Sequence, residues 1–207
     1  MKNILFIGNS HTYFENMPFL FTEICGQAGF AVRAVMCAAP DVDLAWHLAM
    51  PGTMPNVRFG KNDYVVIQQR AHPFDGADAL IEQGTALIGE IMKAEATAVL
   101  VNTWSEKNNP GGQDTINEAH ERLAGLTGCL LARCGPAWHN LRGVLDLYAG
   151  DGEHMSPPGA YLNSCVLAKT IFGVDPAALP GSIETDTLSR KLTEGEIRLL
   201  QRAAADI

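Results

Sequence analysis

Short apolar runs alternate with amphipathic segments along the chain. The runs at residues 3–7, 63–67 and 98–101 each end in polar residues, and residues 30–37 alternate in polarity, so four strands are predicted. Apolar residues elsewhere recur at three- and four-residue steps, which predicts helices at 13–28, 43–50, 76–94, 114–132, 159–171 and 193–205. Such alternation is typical of an α/β fold with a parallel sheet between two helical layers.

Length and composition favour one domain. The 207 residues, 47% of them hydrophobic, can form one sizeable core and are too few for two. We therefore predict a single domain over residues 1–207, in which residues 174–207 form a connector and a final helix packed on the rest.

Charge and hydropathy exclude two classes of partner. The formal net charge is −8 without any lysine or arginine run, and phosphate binding needs clustered positive charge, so no nucleic acid is expected. No apolar stretch reaches the roughly 18 residues of a membrane helix, so no membrane contact is expected either. The apolar start at residues 4–7 is too short for a signal-peptide core, and the cytoplasm is the expected location.

The cysteines and histidines do not form a metal-binding pattern. The five cysteines include no Cys-x-x-Cys pair, which fits neither a disulfide framework nor a zinc ribbon, so we expect thiols in a reducing compartment. No two histidines have the helical spacing, with a carboxylate, that is typical of metal ligands. No metal ion is predicted.

Two polar side chains follow predicted strands. Ser10 lies between the first strand and a helix, where its hydroxyl can stand beside backbone N–H groups that bind an oxyanion. The alternative is that Ser10 caps the helix. Gln68 follows the strand at 63–67, and its amide can donate to an oxyanion or tie neighbouring loops together.

A third polar group lies in a loop rich in glycine and proline near the carboxyl end. Asp151 precedes His154 by three residues, so its carboxylate can accept the Nδ1 hydrogen and leave Nε2 as a base. The alternative is a solvated loop in which Ser156 caps the next helix, and the two interpretations are compatible.

Both ends of the chain resemble blocks of the SGNH, or GDSL-like, hydrolase superfamily. Ile7-Gly8-Asn9-Ser10-His11-Thr12 resembles its first block, which carries the nucleophilic serine. Asp151-x-x-His154, continuing through Ser156, Gly159 and Tyr161-Leu162, resembles its last block, which carries the other two triad residues. The resemblance implies a flavodoxin-like α/β/α sandwich and a serine hydrolase of small acyl esters that needs no cofactor.

The middle blocks depart from the pattern of this superfamily. The second block normally supplies a backbone N–H from glycine, whereas residues 38–44 contain no glycine, so the resemblance assigns that N–H to Asp41. Pro40 has no N–H to donate. In the third block Gln68 replaces the usual asparagine, as in relatives that resemble carbohydrate esterases. The implied oxyanion hole is the N–H of Ser10 and of Asp41 with the side chain of Gln68.

Three further residues are predicted to contact substrate. His11 and His72 both follow strand ends that border the expected cleft, and Trp104 closes the strand at 98–101. Trp104 is a candidate for stacking on a sugar, while a buried aromatic is the alternative.

Three functions compete. The first is an ester hydrolase, of which a deacetylase of an O-acetylated sugar is the narrower form. The second is a binding module that keeps the fold without efficient turnover, suggested by the glycine-free second block. The third is an acyltransferase that uses the same triad with an alcohol in place of water.

Overall fold

The computed structural model describes residues 1–183 and 188–207. Its strands are β1 (Lys2–Gly8), β2 (Val32–Ala38), β3 (Tyr64–Ile67), β4 (Thr97–Val101) and β5 (Leu130–Ala132). Within the described residues they form one five-stranded sheet in the order β2-β1-β3-β4-β5, and each neighbouring pair is parallel. This is the flavodoxin-like order, and the predicted α/β class is confirmed.

Helices follow most strands. They are α1 (Ser10–Tyr13), α2 (Met17–Gln27), α3 (Leu44–Ala49), α4 (Met54–Phe59), α5 (Ala77–Lys93), α6 (Gly112–Thr127), α7 (Cys134–Asn140), α8 (Pro157–Phe172) and α9 (Glu194–Ala205). Short 3-10 turns lie at Phe14–Asn16 and Pro176–Ala178.

The sheet separates two apolar cores. Because successive side chains of a strand point to opposite faces, Ile4 and Phe6 of β1 enter the core that α2, α8 and α9 cover. Leu5 and Ile7 enter the core shared with α5 and α6. Both faces of the sheet are therefore covered, which gives the predicted three layers.

The register of the central strands sets up the site. Ile7 of β1 lies opposite Ile67 of β3, and Gly8 lies opposite Ala38 of β2. The carboxyl ends of the three strands are thus level, and the loops that leave them begin side by side. Ser10, Asp41 and Gln68 follow these strand ends.

The predicted helix at 114–132 is wrong in its last part. Helix α6 ends at Thr127, and Gly128 adopts the left-handed conformation with φ of 71°. The chain then enters β5, and the unpredicted helix α7 follows. The apolar residues of β5 continue the helical spacing of α6, so the pattern did not separate the two elements; the glycine at the helix end does.

The predicted helix at 13–28 is broken. Glu15 and Asn16 have φ of 52° and 49°, values outside a right-handed helix, and they separate α1 from α2. The prediction placed no helix over α4, where Pro55 lies in the first turn and is compatible with helix.

The carboxyl-terminal segment packs on the sandwich through α9. The Lys169 ammonium on α8 donates to the carbonyl oxygens of Ala205 and Ile207, at 2.6 and 2.7 Å. Part of the predicted connector, residues 184–187, lies outside the described residues. In the described part of the chain, no helix combines the length and apolar character needed to cross a bilayer.

Candidate active site

Ser10 begins helix α1 directly after the central strand. Its neighbour Asn9 is the N-cap, since the Asn9 side chain accepts a hydrogen bond from the backbone N–H of His11 at 3.0 Å. The alternative that Ser10 itself is the cap is therefore wrong. The Ser10 hydroxyl is left free to point towards the loop before α8.

The loop that carries Asp151 and His154 is closed by an antiparallel bridge between Tyr148 and Met155. Asp151 Oδ1 accepts the backbone N–H groups of Glu153 and His154, both at 2.9 Å. Its second oxygen, Oδ2, lies 2.7 Å from His154 Nδ1. The carboxylate thus folds back on its own loop, as the spacing in sequence predicts, and fixes the orientation of the imidazole.

Ser10, His154 and Asp151 form a chain of hydrogen bonds. His154 Nε2 lies 2.7 Å from Ser10 Oγ, across 144 residues of sequence. Because Nδ1 donates its hydrogen to Asp151, Nε2 presents its lone pair to the serine hydroxyl. The His154 side chain is 19% exposed and that of Asp151 is 44% exposed, so a ligand can reach the site from solvent.

Asp151 keeps its negative charge over the working pH range. Burial disfavours the carboxylate, but hydrogen bonds from the backbone N–H groups of Glu153 and His154 and from the His154 side chain outweigh it and lower the pKa of Asp151 to about 2. An ionised acceptor is therefore available for the Nδ1 hydrogen wherever the imidazole acts as a base.

Asp41 lies at the turn after β2 and takes the conformation of a glycine. Its φ is 54°, in the left-handed region that glycine adopts most readily. Arg70 Nη1 lies 3.4 Å from the Asp41 carbonyl oxygen, and Arg70 is itself paired with Asp75 at 2.7 Å. The turn is joined to the serine loop, since the Asn9 side chain donates to the Val42 carbonyl at 3.1 Å.

Gln68 is buried and hydrogen-bonded to the serine loop. Its Oε1 accepts the backbone N–H of Asn9 at 3.0 Å and the hydroxyl of Thr12 at 2.9 Å. Its Nε2 donates to the Gln69 carbonyl. Gln68 therefore ties the end of β3 to the loop of the serine, which is the alternative weighed for it from the sequence. Donation to an oxyanion stays a prediction.

His11, His72 and Trp104 lie beneath the site. All three are buried, and Trp104 is only 1% exposed. Burial, followed by the neighbouring His72 and His154, lowers the pKa of His11 to about 3, and burial also lowers the pKa of His72. This burial favours a role in supporting the site. Direct contact of these residues with substrate stays a prediction.

Sequence reasoning missed two residues of this site. Asn9 links the loops after β1, β2 and β3 through its side chain and backbone N–H. The Phe14 ring stacks on His154 with centroids 3.9 Å apart. The Gly-Asn-Ser turn was a signal for Asn9, whereas Phe14 was hidden in an apparently regular helical repeat.

Across residues 1–183 and 188–207, no three histidine, cysteine or carboxylate side chains are grouped so that they could hold a metal ion.

Comparison with solved structures identifies the fold family. A protein from Slackia heliotrinireducens, described as an SGNH hydrolase, is 28% identical and has a TM-score of 0.70, with 82% of this chain and 98% of that chain covered. The chain is similar in fold to SGNH hydrolases, which supports the predicted superfamily. The resemblance of the two end blocks is thereby confirmed.

Two solved structures of lower sequence identity share the fold. A DUF4886 family protein from Bacteroides uniformis has a TM-score of 0.79 at 18% identity, over 99% of this chain and 93% of its own. The acetylxylan esterase Axe2 from Geobacillus stearothermophilus has a TM-score of 0.67 at 17% identity, over 83% and 94%. No protein-family model and no curated protein matches the chain.

Proposed function

We propose that this SGNH-superfamily protein is a serine hydrolase of small acyl esters, with Ser10 as nucleophile, His154 as base and Asp151 as the group that orients the base. The proposal rests on the two 2.7 Å contacts that join Ser10 Oγ, His154 and the Asp151 carboxylate. The loop of Asp151 and His154 meets Ser10 from a distant part of the chain, and the three side chains stand in the order that nucleophilic catalysis needs.

The first half-reaction forms an acyl-enzyme. His154 Nε2 takes the hydroxyl proton while Ser10 Oγ attacks the acyl carbonyl carbon, and Asp151 stabilises the imidazolium. The backbone N–H groups of Ser10 and Asp41 and the side chain of Gln68 are the proposed donors to the oxyanion. When the intermediate collapses, the ester C–O bond breaks and His154 returns the proton to the leaving alcohol.

The second half-reaction releases the acid. A water molecule loses a proton to His154 and attacks the acyl-enzyme, and the second tetrahedral intermediate releases Ser10 and a free carboxylic acid. We propose an acetyl group as the acyl part and a carbohydrate as the alcohol part. The fold shared with an acetylxylan esterase and the glutamine in the third block support this choice.

The test combines labelling and turnover. A fluorophosphonate probe followed by peptide mapping is expected to label Ser10, and an untreated portion of the same preparation is expected to hydrolyse p-nitrophenyl acetate. Ser10→Ala and His154→Ala should each lower kcat by at least about 10³-fold. Ser182→Ala, at an exposed position, is the matched control and should keep the wild-type rate.

The contrary outcomes are distinct. Wild-type turnover in Ser10→Ala would overturn the assignment of the nucleophile. A wild-type protein that is neither labelled nor active, yet binds acetylated sugars, would favour the binding module. An acyl ester of an added alcohol as the main product would favour the acyltransferase.

A further inference from the structure

Two buried histidines behind Ser10 are hydrogen-bonded to each other. His11 Nε2 lies 2.7 Å from His72 Nδ1, and His72 Nε2 lies 2.9 Å from the Trp104 carbonyl oxygen. Since a carbonyl oxygen can only accept, His72 carries its hydrogen on Nε2, and its Nδ1 accepts the Nε2 hydrogen of His11. The hydrogen bond to a fixed backbone group therefore sets the tautomer of both rings.

A third contact of the pair carries no hydrogen in this assignment. His11 Nδ1 lies 3.2 Å from Asn9 Oδ1, longer than the other two contacts of the pair. That oxygen already accepts the backbone N–H of His11 at 3.0 Å. With its hydrogen on Nε2, His11 presents the Nδ1 lone pair to this oxygen, so the contact is not a hydrogen bond and the His11 ring is held through Nε2.

The pair contacts the catalytic imidazole from one side. The rings of His11 and His154 are stacked, with centroids 4.6 Å apart and planes inclined by 19°. Any rotation of the His11 ring would disturb this face, and the hydrogen bond to His72 opposes such a rotation. His72 is thus connected to the face of the His154 ring through His11.

Trp104 also contacts the loop that carries His154 directly. Its indole Nε1 donates to the carbonyl oxygen of Glu153, the residue before His154, at 2.8 Å. The indole ring stacks on Trp138 at 4.1 Å, and Trp138 Nε1 is bonded to Asn163 at 2.8 Å. Trp104 therefore fixes the backbone of the loop through its side chain and the histidine pair through its carbonyl group.

We propose that His11, His72 and Trp104, which we call the supporting cluster, are positioning residues that hold the His154 imidazole in line with the Ser10 hydroxyl. The contacts form a closed path from the His154 ring through His11, His72 and Trp104 back to the peptide before His154. This inference rests on the proposed function for its activity readout. A displacement of about 1 Å in such a base costs on the order of 100-fold in rate.

The first experiment removes the acceptor for His11. His72→Leu leaves a buried apolar side chain in its place and should lower kcat for p-nitrophenyl acetate about 100-fold, with KM changed by less than about twofold. His72→Asn keeps an acceptor near the position of Nδ1 and should recover at least about tenfold of that loss. Wild-type kcat in His72→Leu would overturn the inference.

His120→Leu is the matched control. His120 is also a buried histidine, and its Nδ1 hydrogen is donated within α6 to the Ile116 carbonyl at 2.7 Å. This variant should keep the wild-type kcat. An equal loss in both variants would mean that removal of any buried histidine disturbs the enzyme, and would contradict a positioning role for His72.

A double mutant tests the order of the contacts. His11→Phe keeps a flat ring beside His154 but cannot bond to His72. If His72 acts through His11, the double variant His11→Phe/His72→Leu loses no more activity than the more damaging single variant. Losses that multiply would show that His72 acts independently, and would overturn the proposed path.

A measurement without turnover separates this inference from the proposed function. In ¹⁵N-histidine NMR spectra, the His154 imidazole should show one tautomer in the wild type and mixed or exchange-broadened signals in His72→Leu. Unchanged signals overturn the role of the cluster even in an active enzyme. A wild type that lacks turnover and labelling overturns the proposed function, and the spectra then still decide whether the cluster positions His154.

Discussion

Gly8 allows the end of β1 to lie against the Gln68 side chain. A Cβ atom at this position would come within 2.3 Å of Thr12 Oγ1 and 2.6 Å of Gln68 Oε1. Both atoms belong to the hydrogen bonds that hold the Ser10 loop against β3. The glycine of the first block is thus explained by close approach of side chains from two other segments.

Gly8→Ala should destabilise the protein by about 1–3 kcal/mol, because the added methyl group has no space, and should also lower esterase activity by displacing Ser10. Urea unfolding and the p-nitrophenyl acetate assay measure the two effects. Gly89→Ala in α5 is the control: a Cβ atom there meets nothing within 4 Å. It should raise stability by about 1 kcal/mol through helix propensity. Equal effects of the two substitutions would refute the steric argument.

Asp151→Asn should lower kcat less than Ser10→Ala does. The kcat that remains in Asp151→Asn should be about 10 to 100 times that of Ser10→Ala. The amide can still contact His154, but it permits the tautomer with hydrogen on Nε2, which cannot accept the serine proton. Steady-state kinetics of the two variants on one substrate give the comparison. A loss as large as that of Ser10→Ala would instead indicate that the loop depends on the carboxylate for its structure.

Among the residues of the site, those whose contacts lie close together in sequence could be predicted. Asp151 and His154 are three positions apart, so their contact follows from one loop. Phe14 could not be predicted, because its ring reaches His154 only after Glu15 and Asn16 break the helix. Non-local packing of this kind leaves no spacing in the sequence.

At the scale of elements, helix α9 has the most explicit start signal. Thr193 accepts the N–H of Glu196, and the Glu196 carboxylate accepts the N–H of Thr193, which is a capping box. The element was predictable from these residues and from the apolar spacing behind them. Strand β5 was not, because its three residues follow α6 with only Gly128 to mark the change.

Glu196→Gln should lower the free energy of unfolding by about 1 kcal/mol at pH 7. The hydrogen bond from Arg190 is the main reason that the pKa of Glu196 falls to about 2. A carboxyl group with a lowered pKa in the folded state stabilises the fold above its unfolded pKa, and this stabilisation disappears as pH falls from about 4.5 to about 2. Urea unfolding at several pH values gives the difference between the two proteins.

Glu194→Gln is the control in the same helical turn, with an expected effect of about 0.3 kcal/mol from the helix dipole alone. If the two variants were equally destabilised, the capping box would have no special contribution.

At the scale of the whole molecule, the buried histidines make the free energy of unfolding depend on pH. Burial lowers the pKa values of His11, His47, His72 and His120, so the folded protein keeps these rings neutral where the unfolded chain would protonate them. The unfolded state then binds more protons, and stability falls as the pH drops below the unfolded histidine value of about 6.5.

His120→Leu isolates one of these protons. Burial lowers the pKa of His120 to about 4, so between about pH 6 and pH 4 the variant should lose stability more slowly than the wild type, by about 1.4 kcal/mol per pH unit. Above about pH 7.5 the two curves should run parallel. Parallel curves at all pH values would mean that this histidine is protonated as readily in the folded protein as in the unfolded chain.

The overall architecture could be predicted from the sequence, but the buried contacts that support the site could not. Alternating elements predict the parallel sheet, and the blocks around Ser10 and His154 predict the similarity to SGNH hydrolases. His11, His72 and Trp104 were recognised as neighbours of the site, but their burial depends on how the loops after β1, β3 and β4 fold over one another. Polar residues at strand ends indicate a cleft without indicating which of them line it.

The separation of 144 positions between Ser10 and His154 also has a consequence for biosynthesis. If Ser10 and His154 act as proposed, a ribosome makes the serine and all five strands of the sheet before it makes the histidine, so the growing polypeptide holds the nucleophile without its base. Hydrolysis of esters is then expected only after translation has passed the loop before α8.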